Sequence, residues 1–271
     1  MQTERQEASA ILVTAMGVYR EGPVLPALHE HFSSVWFHHK DAGHPKSTAV
    51  VPDTCADLVW CRGRLLVAGP DRKVSYEQVP PGTTVVGLQF RPGAVRNWLR
   101  TPASGIVGSR VPLDCFWSGK VQELLETMGD ATDPHVLAQR LQRGLGRMAP
   151  GIELPDRSTN RILSAVRHAR NTNEPIVRVL TRTLGTTERT LRRHCEREFG
   201  YGAKTLDRII RIQGFLKLAV THPALDLTSL SGAAGYADQA HLTREARRLT
   251  GLTPKVILSQ IAQSASAASR A

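Results

Sequence analysis

The chain contains a duplication. Thr187-Glu-Arg-Thr-Leu-Arg-Arg193, followed by Gly200, returns 51 residues later as Asp238-Gln-Ala-His-Leu-Thr-Arg244, followed by Gly251. Each copy opens on a residue whose side-chain oxygen can cap a helix, and each ends on a glycine suited to the left-handed conformation that closes one. A glycine turn at Gly185 or Gly235 and a short apolar-periodic segment stand ahead of each copy. This is the layout of a helix-turn-helix unit. One such unit is weak information, because short helices joined by glycine turns are common. Two at one spacing, joined by a long helical stretch from Ala203 to Val220, commit the region to a bundle of two related units.

The bundle extends further in both directions. Ile162, Leu163, Val166 and Ala169 recur on one helical face, and Pro175 opens a second helix to Leu184, where its missing N–H costs nothing. Leu227 to Ala234 precedes the second copy, and Thr253-Pro254 stops the helix that follows. Residues 158–260 are therefore expected to form an all-α, double helix-turn-helix domain. The Ala- and Ser-rich residues 261–271 are expected to be a disordered tail.

The charge sits in the same place. The whole chain of 271 residues has a formal net charge of +11 and a sequence pI near 10.1. Residues 158–260 hold 17 basic and 8 acidic side chains, whereas residues 1–115 are near balance with 12 and 10. A basic domain joined to a near-neutral one is the electrostatic outline of a nucleic-acid binder with a separate sensing part. A solvated, arginine-rich helical surface is the plainer account of the same numbers.

The first 115 residues read instead as strands and turns. Apolar runs at 48–52, 57–61, 65–68, 74–76 and 83–90 are bounded by Pro, Gly and Asp, with Arg62-Gly63 as a hairpin turn. Their spacing predicts a mainly β domain, barrel-like or sandwich-like, over residues 1–115. Pro92 to Leu99 can open a short helix. Val121 to Met128 and Val136 to Met148 have helical spacing, so residues 116–157 are expected to be connecting helices and a linker, the latter at Pro150-Gly-Ile-Glu-Leu-Pro-Asp156.

Ala233-Ala-Gly-Tyr-Ala-Asp-Gln-Ala-His-Leu-Thr-Arg-Glu-Ala-Arg-Arg-Leu-Thr-Gly-Leu-Thr-Pro254 closely resembles the C-terminal signature of the AraC/XylS-type transcriptional regulators. The likeness runs from about residue 160 to 260. The first part of the chain resembles a sensor-like domain found ahead of such regions, through Val51-Pro-Asp-Thr-Cys-Ala-Asp-Leu-Val-Trp60, Ala68-Gly-Pro-Asp71 and Gly87-Leu-Gln-Phe-Arg-Pro-Gly93. The resemblance implies a sequence-specific, DNA-binding transcriptional regulator that is not an enzyme and needs no cofactor. It implies double-stranded DNA as partner, with a small-molecule effector, a contact with RNA polymerase and a homodimer as further partners. Two departures stand out: Cys195 and Ala246 occupy positions where the family usually has an aromatic, and bulky Phe215 stands where it commonly has a small residue. Phe215 is expected to refill the space.

An α-helix fits the major groove and presents the side chains of its first half to base edges. In the first copy these are Glu188, Arg189, Arg192 and Arg193; in the second they are Gln239, His241, Thr243 and Arg244. Arginine reads guanine with two hydrogen bonds, glutamine reads adenine, and threonine meets the thymine methyl. Arg189, Arg192, Arg193, Gln239, His241, Thr243 and Arg244 are the candidate DNA-binding residues, with phosphate contact or plain solvation the alternative for any single arginine. Leu191 and Leu242 belong in the core. Two such helices on one chain can enter adjacent major-groove segments about one turn (~34 Å) apart.

The competing reading is a metal-binding or enzymatic β-barrel tethered to nucleic acid by the basic domain. His29, His31, His38, His39 and His44 suggest a metal cluster, but the further carboxylate and histidine of a cupin-type site are not evident, and no metal is assigned. No Walker loop, GxSxG or HExxH occurs. Asp53 and Asp57 flank Cys55 and either cap a turn or face an effector pocket; Trp36, Trp60, Trp98 and Trp117 serve the core, with one of them free to line that pocket. Four cysteines without CxxC pairing, a polar N-terminus and no apolar run of about 18 residues lead to the expectation of a cytoplasmic, non-membrane protein.

Overall fold

Alternation of apolar and polar residues gives the first part of the chain two antiparallel sheets. A computed structural model describes residues 18–40, 47–169 and 174–268. The strands are β1 (Val18–Gly22), β2 (Phe32–His39), β3 (Ser47–Val50), β4 (Asp57–Cys61), β5 (Arg64–Ala68), β6 (Ser75–Gln78), β7 (Thr84–Phe90) and β8 (Arg110–Pro112). Six pair in the order β1-β2-β7-β4-β5-β8, and β3 pairs with β6. The β4–β5 hairpin closes through Arg62 (φ 49°) and Gly63 (φ 75°), two positive values in a row, as the tightest hairpin turns require.

The larger sheet has two unlike faces. Leu58, Val67, Val86, Leu88 and Phe90 point to one side and are buried. Three helices, α1 (Ala94–Leu99), α2 (Lys120–Met128) and α3 (Pro134–Met148), join these residues through Trp98, Leu124, Leu137 and Leu141. Asp133 caps α3, its Oδ1 accepting from the N–H groups of His135 and Val136 at 2.9 Å. Residues 116–157 thus do more than connect: α2 and α3 complete the core under the sheet. The reason is the apolar face of the sheet, which the six-residue α1 covers only in part.

The helical part consists of α4 (Arg157–Ala169), α5 (Ile176–Leu184), α6 (Glu188–Phe199), α7 (Ala203–Thr221), α8 (Leu227–Ala233), α9 (Gln239–Thr250) and α10 (Pro254–Ala268). Its own core gathers Leu180, Leu191, Leu206, Phe215, Leu242 and Ile257 around α7. Cys195, Ala246 and Phe215 are all fully buried in this one cluster, so the large ring lies in the core that also holds the two small residues. The disordered tail expected over 261–271 is corrected as far as Ala268, because α10 continues to that residue. Pro254 opens α10 at the position where proline is tolerated, and alanine then favours helix in the segment read as a tail.

The two parts are clasped together. Gln213 Nε2 on α7 donates to Pro52 O at 2.8 Å, Val74 N to Leu249 O at 2.7 Å, and Arg72 to Gly200 O at 3.2 Å. Glu198, with a side chain 1% exposed, faces Arg96 of α1 at 3.7 Å and pairs with Arg197. Gly200 has φ +84°, and a Cβ there would stand 2.3 Å from Val107 Cγ2, so this position needs glycine for both backbone and contact.

Candidate nucleic-acid interface and the cavity behind it

Each duplicated segment folds as a capped helix behind a turn. Thr187 Oγ1 accepts from Thr190 N at 3.2 Å at the start of α6, and Asp238 Oδ1 accepts from His241 N at 2.6 Å at the start of α9. Gly200 and Gly251, both at positive φ, end the two helices. Leu191 and Leu242 are buried at equivalent points, 2% and 0% exposed. The contacts with the N-terminal part fall at the C-terminal ends of α6 and α9, through Glu198, Gly200 and Leu249. The first turns of both helices are thereby left outward.

The candidate reading residues divide by their surroundings. Arg189, Arg193 and Arg244 are exposed. Arg192, 77% exposed, reaches Glu196 one turn on at 2.8 Å, a solvent-screened surface pair that a phosphate or base can replace. Gln239 is exposed, and its amide donates to the Thr228 hydroxyl of α8. His241 and Thr243 are half-buried: His241 stands edge-on to Tyr236 with ring centres 5.3 Å apart, and the Thr243 hydroxyl donates to Gln239 O at 2.8 Å. With its hydroxyl turned back to the helix, Thr243 has its methyl as the group for contact. Arg208 and Glu245 bridge α7 to α9, and Arg211 lies 5.5 Å from the centre of the Tyr236 ring. These contacts hold α9 against the long helix and fix its direction.

A cavity of about 1230 Å³ lies on the other face of the larger sheet. Its sheet side carries Tyr19, Trp36, Asp57 and Gln89, with Asp53 beside them; its helical side carries Arg157 and Arg167 of α4 and Lys217 of α7. Trp36 Nε1 donates to Asp57 Oδ1 at 2.8 Å, and Gln89 Nε2 donates to Asp53 Oδ2 at 2.7 Å. Asp53 also accepts from Cys55 N at 3.0 Å, so it both caps its turn and faces the cavity. Burial raises the Asp53 carboxyl to about 6, with Glu21 adding to the effect, and raises Asp57 well above the ordinary carboxylate range through burial and the neighbouring Asp53. Trp36 lies over Gly87, where a Cβ would stand 2.3 Å from the ring. Of the four tryptophans, Trp36 lines the cavity, whereas Trp98 and Trp117 are buried beneath the sheet. Tyr19, Glu21 and the helical cations were not singled out from sequence; Tyr19 and Glu21, two apart on β1, share a face, and that spacing was the available signal.

The histidines do not converge. His31 is buried against Trp98, His29 Nε2 lies 2.8 Å from Val24 O, and His39 Nδ1 lies 2.9 Å from Thr84 Oγ1. His44 is outside the described residues. Among the described residues no group of three or more His, Cys, Asp or Glu is placed to hold a metal ion, and no helix is long and apolar enough to cross a membrane.

Residues 180–260 match the family model of a helix-turn-helix domain, which covers the end of α5 through α9 and into α10. This part of the chain is an AraC-type helix-turn-helix domain. Residues 23–112 match a second model, described as a domain of unknown function, DUF6597. No curated protein matches the chain. Among solved structures, ToxT from Vibrio cholerae is similar at 11% identity and a TM-score of 0.49, over 89% of this chain and 98% of that one. ToxT bound to (E)-4-(8-methylnaphthalen-1-yl)but-3-enoic acid is similar at 10% identity and a TM-score of 0.48, over 90% and 99% of the two chains. The AraC-type domain thus includes both capped helices, α6 and α9, and stands behind a mainly β domain.

Proposed function

We propose that the protein is a sequence-specific regulator of transcription whose AraC-type domain reads duplex DNA with α6 and α9, under the control of a small molecule held by the cavity. The observation that supports this reading is the outward first half of both helices, carrying Arg189, Arg192 and Arg193 on one and Gln239, His241, Thr243 and Arg244 on the other. Arginine forks suit guanine, and the Gln239 amide suits adenine after leaving Thr228. The cavity suits control because its walls come from both parts of the chain. A ligand touching both walls binds the clasped arrangement better than an open one, and that difference in affinity is what shifts the population.

Footprinting of the purified protein on genomic fragments, starting with its own promoter region, tests the reading. A protected site spanning two adjacent major-groove faces is the expected result. Equal protection of every duplex would make the protein a non-specific coater.

A further inference from the structure

The cavity has a division of charge that the regulatory reading leaves unused. On the sheet side Asp53 and Asp57 both line the cavity, held by Gln89 and Trp36; the Asp53 charge raises Asp57, and Glu21 adds to both. Their hydrogen-bond donors are neutral: the Gln89 amide, the Cys55 N–H and the Trp36 indole. Among the described residues neither carboxyl has a lysine or arginine within ion-pair distance. Arg110, whose charge reaches Asp57, is itself bound to Asp71 at 2.8 Å and Glu77 at 2.7 Å. Two carboxyl groups held together without a cation make a site that is one positive charge short.

Two further features of the same face point to a ligand. Ser34 is 2% exposed, and among the described residues its hydroxyl has no hydrogen-bond partner. It lies two residues before Trp36 on β2, on the strand face that lines the cavity, so it is a buried polar group left for something in that space. Tyr19 and Trp36 stack with ring centres 6.1 Å apart and 25° between planes, next to the carboxyls. Aromatic faces beside carboxylates are the surroundings that favour an organic cation over a hydrated metal ion.

We propose that the cavity binds an organic cation, an amine or guanidinium on an aromatic or apolar body, with its charge against Asp53 and Asp57 and its body against Trp36 and Tyr19. The proposal rests on the effector reading above and supplies its chemical class. The helical wall is of opposite sign, with Arg157, Arg167 and Lys217. A ligand seated by a carboxylate would take that wall instead, so the two classes are separable by a matched pair of probes.

Tryptamine and indole-3-propionate share a ring and a two-carbon spacer and differ in the charge they carry. Calorimetric titration and thermal shift of the full chain are run with each, and with phenethylamine, agmatine and spermidine. The expected result is one-site binding of tryptamine, a raised Tm, and little response to the acid. Asp57→Asn keeps an acceptor for Trp36 and removes the charge, so tryptamine affinity falls about tenfold or more, the scale of one charge-assisted hydrogen bond. Asp53→Asn acts in the same direction. Failure of all four amines to bind overturns the proposal, as does unchanged tryptamine affinity in both variants. DNA affinity measured with and without the bound probe separates the two claims. An amine that binds but leaves DNA affinity unchanged removes effector control and keeps the ligand class. An acid that binds and alters DNA affinity keeps effector control and overturns the class.

Discussion

At the scale of single residues, exposure and partners separate the side chains that can read DNA from those that hold the readers in place. Arg244 is exposed on the first half of α9, whereas Glu245 beside it is tied to Arg208 on α7. Arg244→Ala is expected to lose discrimination at one or two base pairs by about 1–3 kcal/mol, read from binding to a set of single-base variants of the site. A uniform loss across the set would make it a phosphate anchor. Phe215 is of the other kind. Fully buried in the cluster that holds Cys195 and Ala246, it supplies a large ring to the core that these two small residues share. Phe215→Ala should cost about 3–5 kcal/mol in thermal or denaturant unfolding; a negligible change would show that the space is filled by something else.

At the scale of elements, the helices were legible because their signals are local. Capping oxygens at Thr187 and Asp238 and closing glycines at 200 and 251 take the roles that their positions suggested, and Asp226 and Gly185 act in the same way at α8 and α5. Asp238→Ala should destabilise the domain by about 1 kcal/mol and weaken DNA binding more than an equally destabilising change on the far side of α8, since the first half of α9 carries the proposed contacts. Parallel measurement of Tm and DNA affinity checks this. Strands were harder. Phe32 to His39 has aromatic and histidine side chains on both faces, so β2 shows no clean alternation; one face packs on the core and the other lines the cavity. Arg110–Pro112 is three residues long and is a strand only because β5 lies beside it. The helix over 254–268 was missed because its later residues are small and its apolar pattern faint, while alanine's backbone preference needs no pattern.

At the scale of the whole molecule, the cavity and the clasp set how the chain responds to its surroundings. Asp53 is at about 6 in the folded chain against an ordinary 3.8. The folded state therefore holds this proton more tightly than the unfolded one does. That contribution to stability is full below about pH 4 and is lost as the pH rises through 6. Asp53→Asn should match the parent below pH 4 and become the more stable of the two above pH 6, as read from paired thermal melts across that range; a constant offset at all pH values would rule out the titration. Facing Asp53 are the charges of Glu21, Asp57 and Asp71. An organic cation in the cavity opposes the same proton, so its affinity should climb over the same interval.

The division between sequence and structure follows from the range of the forces involved. Helix caps and turn glycines are set by residues within a few positions of one another, and the 51-residue duplication and the location of the positive charge are read from the sequence without any pairing in space. They were enough for the class of the helical domain and for placing its two capped helices. The acidic face of the sheet was visible only as Asp53 and Asp57 beside Cys55. Its meaning came from residues far away in the chain: Gln89 and Trp36 on neighbouring strands, and Arg157, Arg167 and Lys217 on helices that close the cavity. The clasp between Gln213 and Pro52 joins residues 161 positions apart. Pairings at such separations are selected by the packing of whole faces, which no local pattern encodes.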